Sequence, residues 1–235
     1  MTQLGGSLAS EEVRLLERDA NQLLLHDTIG IPEEVWRGQS LLPGWSRAHV
    51  ATHVARNADR LRRLTESAIS AERPAEPGPE ERFEALERGA ERSALELQID
   101  LDTSAAALEA VWHDQTDWHR PINFLGRVRP LSWLPVARLH ELCVHHLDLD
   151  IGFTADQINP ETAHWLLTWV CQRLGSQAAP ALAIQSDSGQ HAVLGQGEPT
   201  MTVRGSDAGL WAWLAGRAPL VDPDGIELLP RPLLA

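Results

Sequence analysis

Four stretches in the first 150 residues repeat apolar positions at helical spacing. From about Ser10 to His26, Val13, Leu16, Ala20 and Leu23 or Leu24 share one face, and the acids of the first turn favour the helix dipole. After a Pro43-Gly44 turn, Ser46 is placed to cap a second helix from Arg47 to about Glu66, with Val50, Val54, Leu61 and Leu64 at helical intervals. Residues 71–82 concentrate proline, glycine and charge, which predicts an exposed connection. A third helical region spans about Glu84 to Trp112, with a break expected between Asp100 and Ser104. Trp118 to Pro130 reads as two short extended pieces around Gly126. Pro135 suits the first turn of a fourth helix reaching about Leu149. Four such helices with mostly short connections predict a bundle.

After Gly152 the pattern changes. Thr162 to Leu174 predicts a helix, and Ala181 to Gln185, Ala192 to Gly195 and Met201 to Val203 predict strands separated by turn residues. Asp207 is placed to cap a short helix through Leu214 that ends at Gly216, and Ile226 to Leu229 offers a last strand. The expected organisation is an α domain over residues 1–155 followed by a small α+β domain over 156–235.

Length and composition narrow the functional classes. The chain has 235 residues and a formal charge of −13, from 33 acids against 20 basic residues that are all arginine. Tyrosine and lysine are absent, which excludes Schiff-base lysines, lysine-dependent phosphate loops and tyrosine acid–base catalysis. The arginines form no stripe, so nucleic acid is not an expected partner. An anionic substrate would need a local positive centre, such as a metal ion or a placed arginine. No apolar run approaches the roughly 18 residues of a membrane span, and the acidic amino terminus does not read as a secretory signal, so a cytoplasmic protein without a membrane partner is expected. Cys143 and Cys171 form no CxxC and read as small buried hydrophobes.

The ten histidines are the informative residues. His49 and His53 lie four apart on the second helix, and Glu141 and His145 lie four apart on the fourth. An i, i+4 pair projects two side chains in nearly one direction, about 6 Å apart along the axis. Facing pairs in a bundle could hold a divalent ion such as zinc, with coordination positions left open for chemistry. Spacing alone equally describes solvated His49 and Glu141 with hydrogen-bonded, half-buried His53 and His145, and His140 and His146 compete as ligands. Cys143 lies about 200° around the helix from Glu141 and His145, so it points away from them. Asp148 and Asn57 could orient ligands, or serve as a helix-end cap and a polar residue facing water. Trp165, Trp169, Trp211 and Trp213 read as packing residues.

LLPGWSRAHVATHVARNADRL in the second helix and ARLHELCVHHLDLDIGF in the fourth resemble the two signature segments of the mycothiol-dependent maleylpyruvate isomerases, members of the DinB-like metalloenzymes. Trp112, the WLAGR segment ending at Arg217 and the two-domain order extend the resemblance over nearly the whole chain. It implies a DinB-like four-helix bundle with a small α+β carboxy-terminal domain. It also implies zinc or a similar divalent metal on His53, Glu141 and His145, with His49 outside the ligand set, and a functional Arg217 that acts on the thiol or the substrate. The implied cofactor is mycothiol, and the implied substrate is an unsaturated dicarboxylate. The implied reaction converts maleylpyruvate to fumarylpyruvate: a metal-activated thiolate adds reversibly, the resulting single bond rotates, and the thiolate leaves. By position alone, Arg217 also suits capping of a helix end.

Two other functions use the same parts. A thiol S-transferase would conjugate the thiol instead of regenerating it, and a non-catalytic module would bind metal or thiol without turnover. A monomer or a homodimer is compatible with every reading.

Overall fold

In a computed structural model, residues 11–70, 77–175, 181–221 and 227–228 are described. Six helices and a hairpin lead up to Ile151: α1 (Glu11–Thr28), α2 (Glu33–Arg37), α3 (Arg47–Ser70), α4 (Pro79–Ala90), α5 (Ala94–His113), β1 (Pro121–Phe124), β2 (Arg127–Pro130) and α6 (Trp133–Asp148). The four long helices α1, α3, α5 and α6 form the bundle, in which α3 packs on both α5 and α6 and α1 closes the other side against the same two. Small residues let α3 approach its neighbours closely: Ala48, Ala51, Ala55 and Ala58 are all buried. Trp112 ends the α5 core stripe and donates its indole N–H to Thr65 Oγ1 of α3 at 3.0 Å, so its polar edge is satisfied inside.

Several boundaries differ from the sequence expectation. The third helical region breaks at 91–93, not at Asp100–Ser104, because Ser93 and Glu96 form a capping box that starts α5. Residues 79–82 of the expected connection are helical, with Pro79 in the first turn of α4, while residues 71–76 lie outside the described residues, as does Ser10. The five-residue α2 has no counterpart in the expected pattern; it buries Trp36. On α1 the charged Glu17 sits in the core one turn after Val13. Between β1 and β2, Leu125 and Gly126 both have positive φ (54° and 73°), as a two-residue hairpin turn requires.

A second compact unit begins at Gly152. After a 3-10 turn at Ala155–Gln157 it contains α7 (Pro160–Leu174), β3 (Leu182–Ser186), β4 (His191–Leu194), β5 (Met201–Gly205), α8 (Asp207–Leu214), β6 (Leu220–Val221) and β7 (Glu227–Leu228). Strand β3 is central, antiparallel to β4 and parallel to β5, and β6 pairs with β7. Of the expected last strand, Ile226 and Leu229 lie outside the described residues. Ser206, one residue earlier than expected, caps α8 by accepting from the Gly209 N–H. Trp169, Trp211 and Trp213 are buried and Trp165 is half-buried, in keeping with packing roles.

Helix α4 rests on α3 through Gly89, where an added Cβ would lie 2.2 Å from Thr52 Cγ2. Gly89→Ala is expected to destabilise the protein. Overpacking costs about 1–3 kcal/mol, against a helix-propensity gain of about 1 kcal/mol. A thermal melt checks this, and an unchanged or raised midpoint would contradict the close approach.

Candidate metal centre

His53 projects from α3 and Glu141 and His145 from α6, and the two helices bring the three together. His53 Nε2 lies 3.2 Å from Glu141 Oε2, and His145 Nε2 lies 3.5 Å from the same oxygen. The two imidazole rings meet edge to face at 4.5 Å, and one ligand atom from each residue falls within 4.8 Å of the other two. A tetrahedral ion with bonds of about 2.0–2.1 Å needs ligand atoms about 3.3 Å apart. The two separations to Glu141 match that edge length, and two imidazole nitrogens with one carboxylate oxygen form a donor set suited to zinc or a similar divalent ion. Three protein donors leave at least one position for an exogenous ligand.

The surrounding residues hold this geometry. Asp148 is buried, and its Oδ2 lies 2.9 Å from His145 Nδ1. That contact places an Nδ1 proton on the Asp148 side and turns Nε2 toward Glu141. Asp148 thus orients a ring, where a helix-end cap or solvation was the simpler sequence expectation. Trp45 packs against His53 with ring centroids 5.5 Å apart, a contact with no signal in the sequence pattern. At the other end of the pair, Arg47 Nε donates to the Leu149 carbonyl at 2.6 Å and so satisfies a carbonyl at the end of α6.

Electrostatics follow the same geometry. Burial alone would raise the Glu141 carboxyl, but hydrogen bonds to His145 and His53 outweigh it and hold the group well below the usual carboxylate range. Burial disfavours charge on His145, while Asp148 and Glu141 outweigh it and raise its pKa. Burial pushes the thiol of Cys143 up to about 12, which makes it an inert core residue.

The bundle's other histidine candidates fall outside this group. His49 Nδ1 lies 2.7 Å from Ser46 Oγ and its Nε2 lies 3.4 Å from Glu87 Oε1, so it joins α3 to α4. His146 Nε2 lies 3.2 Å from Asp27 Oδ2 of α1, and His140 is buried. Neither belongs to the three-residue group. Asn57 accepts from Arg138 Nη1 at 3.0 Å. In the second unit, Gly216 takes a positive φ of 75° at the end of α8, and the Arg217 N–H bonds the Ala212 carbonyl while its guanidinium donates to the Ala215 carbonyl at 2.8 Å. Arg217 therefore sits on a Schellman-type helix end and caps it.

The sequence profile of the mycothiol maleylpyruvate isomerase N-terminal domain matches residues 18–150, more than half of the chain. The chain belongs to that family. Two solved structures are similar to this member of the mycothiol maleylpyruvate isomerase family over 94% of its length and 95% of theirs, each with a TM-score of 0.83. One is a crystal structure of the mycothiol-dependent maleylpyruvate isomerase, 27% identical, and the other is a histidine-to-alanine mutant of the isomerase, 26% identical. No curated protein shows a significant match. Among the described residues of this family member, no helix is long and apolar enough to cross a membrane.

His53→Ala and Glu141→Ala are each expected to abolish stoichiometric zinc uptake with helical circular dichroism retained. Asp148→Ala should weaken uptake about 10–100-fold. Chelator competition measures both, and full-affinity binding by His53→Ala would contradict the ligand assignment. Acid stability tests a separate group. Burial lowers the pKa of His146 to about 4, more than Asp27 raises it. Between pH 6.5 and about 4 the unfolded chain therefore binds more protons, and stability is lost as pH falls through that window, by up to about 3 kcal/mol. His146→Gln should flatten the fall in midpoint with pH, and an unaltered profile would contradict the buried neutral imidazole.

Proposed function

We propose that the chain is a mycothiol-dependent isomerase that converts the cis diacid maleylpyruvate to fumarylpyruvate, with zinc or a similar divalent ion held by His53, Glu141 and His145. The convergence of those three side chains, within a fold shared with a mycothiol-dependent maleylpyruvate isomerase over 94% of the chain, carries this reading. Held by His53, Glu141 and His145, a divalent ion would lower the pKa of an external thiol and so favour its thiolate, the form that could add reversibly to the conjugated double bond and let it rotate.

The chain's own residues set the conditions for that chemistry. His53 and His145 both turn Nε2 toward Glu141, and Asp148 holds the Nδ1 side of His145. Glu141 contributes the one negative donor, so three protein ligands only partly neutralise a divalent ion and the centre keeps net positive charge toward an anionic ligand. In a chain with a formal charge of −13, that local positive charge offsets the average repulsion of a dianion. Arg217 is the second positive group assigned to the reaction; its guanidinium serves thiol or carboxylate recognition, and the Schellman end fixes its backbone. The buried Cys143 and half-buried Cys171, both raised to about 12 by burial, are unsuited to acting as the nucleophile, which fits a reaction that uses an external thiol.

Incubation with maleylpyruvate should yield fumarylpyruvate only when mycothiol is present, with free thiol unchanged at the end. Net consumption of thiol would instead mark a transferase, and bound thiol without turnover of any unsaturated diacid would mark a binding module. Arg217→Ala should lower kcat/KM about 10–100-fold, equivalent to a lost charge-assisted hydrogen bond of roughly 1.5–3 kcal/mol, with metal content unchanged. Wild-type kinetics in that variant would leave Arg217 with its capping role alone.

A further inference from the structure

One turn before Glu141, α6 buries a second charged side chain. Arg138 is 1% exposed, and its Nη1 donates to the Val54 carbonyl at 2.7 Å and to Asn57 Oδ1 at 3.0 Å, both on α3. Its Nε lies 3.8 Å from Glu17 Oε1 on α1, and Glu17 is 5% exposed. One guanidinium therefore ties together three of the four bundle helices. Val54 directly follows His53, and Arg138 precedes Glu141 by three residues, so both anchor points lie within about one turn of the candidate ligands. Arg47 makes the matching tie at the other end, from the start of α3 to the Leu149 carbonyl at the end of α6. The antiparallel pair is thus pinned on both sides of the centre.

Such a pair is costly. Burial disfavours both charges, raising the pKa of Glu17 and lowering that of Arg138, and their mutual attraction at 3.8 Å only partly offsets this. Well-packed apolar residues of similar size often stabilise a fold as well or better, so the net stability of the bundle does not account for the arginine. What it provides is geometry: one guanidinium nitrogen bonded to both a backbone carbonyl and a side-chain oxygen of α3 fixes the distance and the axial register between α3 and α6. Those two quantities decide whether His53 meets Glu141 and His145.

We propose that Arg138, supported by Glu17 and Asn57, is a positioning residue that sets the spacing of α3 and α6 for the three-residue centre. The inference rests on His53, Glu141 and His145 being metal ligands. The test is the double variant Arg138→Met with Glu17→Gln, which strands neither charge. Three readouts are taken: the melting midpoint of the metal-free protein, Zn(II) affinity by competition with a chromophoric chelator, and the visible spectrum of the Co(II) form. The double variant should melt close to wild type, bind Zn(II) about tenfold or more weakly and show displaced Co(II) bands. A folded double variant with wild-type affinity and wild-type bands overturns the proposal. Should it not fold, Asn57→Ala removes one of the two Nη1 bonds and decides the matter: about threefold weaker Zn(II) binding is expected on the scale of partial loss of ligand support, and unchanged affinity overturns the role. Wild-type protein that takes up neither Zn(II) nor Co(II) overturns the ligand assignment itself, which is a different result from a variant that matches wild type.

Discussion

The approach of α3 to α6 is the constraint on which the site depends. Glu141 and His145 share a face of one helix by spacing alone, but a pair of donors on one helix makes a poor site for an ion. His53 completes the set only because alanines at 48, 51, 55 and 58 let α3 lie close to its neighbours and because arginines tie it to α6 on both sides of the centre. The apolar core supplies most of the free energy of association between helices, and the polar ties choose one register among those the core would tolerate.

Charge is distributed in keeping with that arrangement. The surface is strongly acidic, while the bundle interior holds arginine and histidine groups against carboxylates at Glu17, Glu141 and Asp148. Each interior carboxylate faces a specific partner: Glu17 the guanidinium of Arg138, Asp148 the imidazole of His145, and Glu141 two imidazoles. Only the last of these sets points several lone pairs at one place, which distinguishes a candidate ion site from internal pairs that satisfy one another.

Much of the fold was legible in the sequence because its signals were local. The helical period of Val50, Val54 and Leu61, the turn at Gly126 and the glycine at 216 each place an element near its observed position. The break before α5 was equally local, since Ser93 and Glu96 spell a capping box, but the polar stretch from Asp100 to Ser104 offered a competing break. The pairs His49/His53 and Glu141/His145 named the candidate donors, whereas the choice between His49 and His53 depends on tertiary contacts: His53 reaches Glu141 of α6, and His49 reaches Glu87 of α4. Spacing made Asp148 a candidate to orient a ligand but equally a helix-end cap or a solvated residue; its burial, which makes it the partner of His145, comes from tertiary packing. Glu17 and Arg138 were illegible for the same reason. Each is a charged residue inside an apolar stripe, and periodicity assigns such residues to solvent unless the partner on another helix is known.

The most direct test of the central claim is X-ray absorption at the zinc edge of the zinc-loaded protein, recorded with and without mycothiol. Without the thiol, the account predicts a shell of nitrogen and oxygen scatterers only, with the multiple scattering of two imidazoles. With it, one sulfur should appear at about 2.3 Å. A sulfur shell before the thiol is added, or none after, would contradict a two-histidine, one-carboxylate centre with a position open to an external thiol.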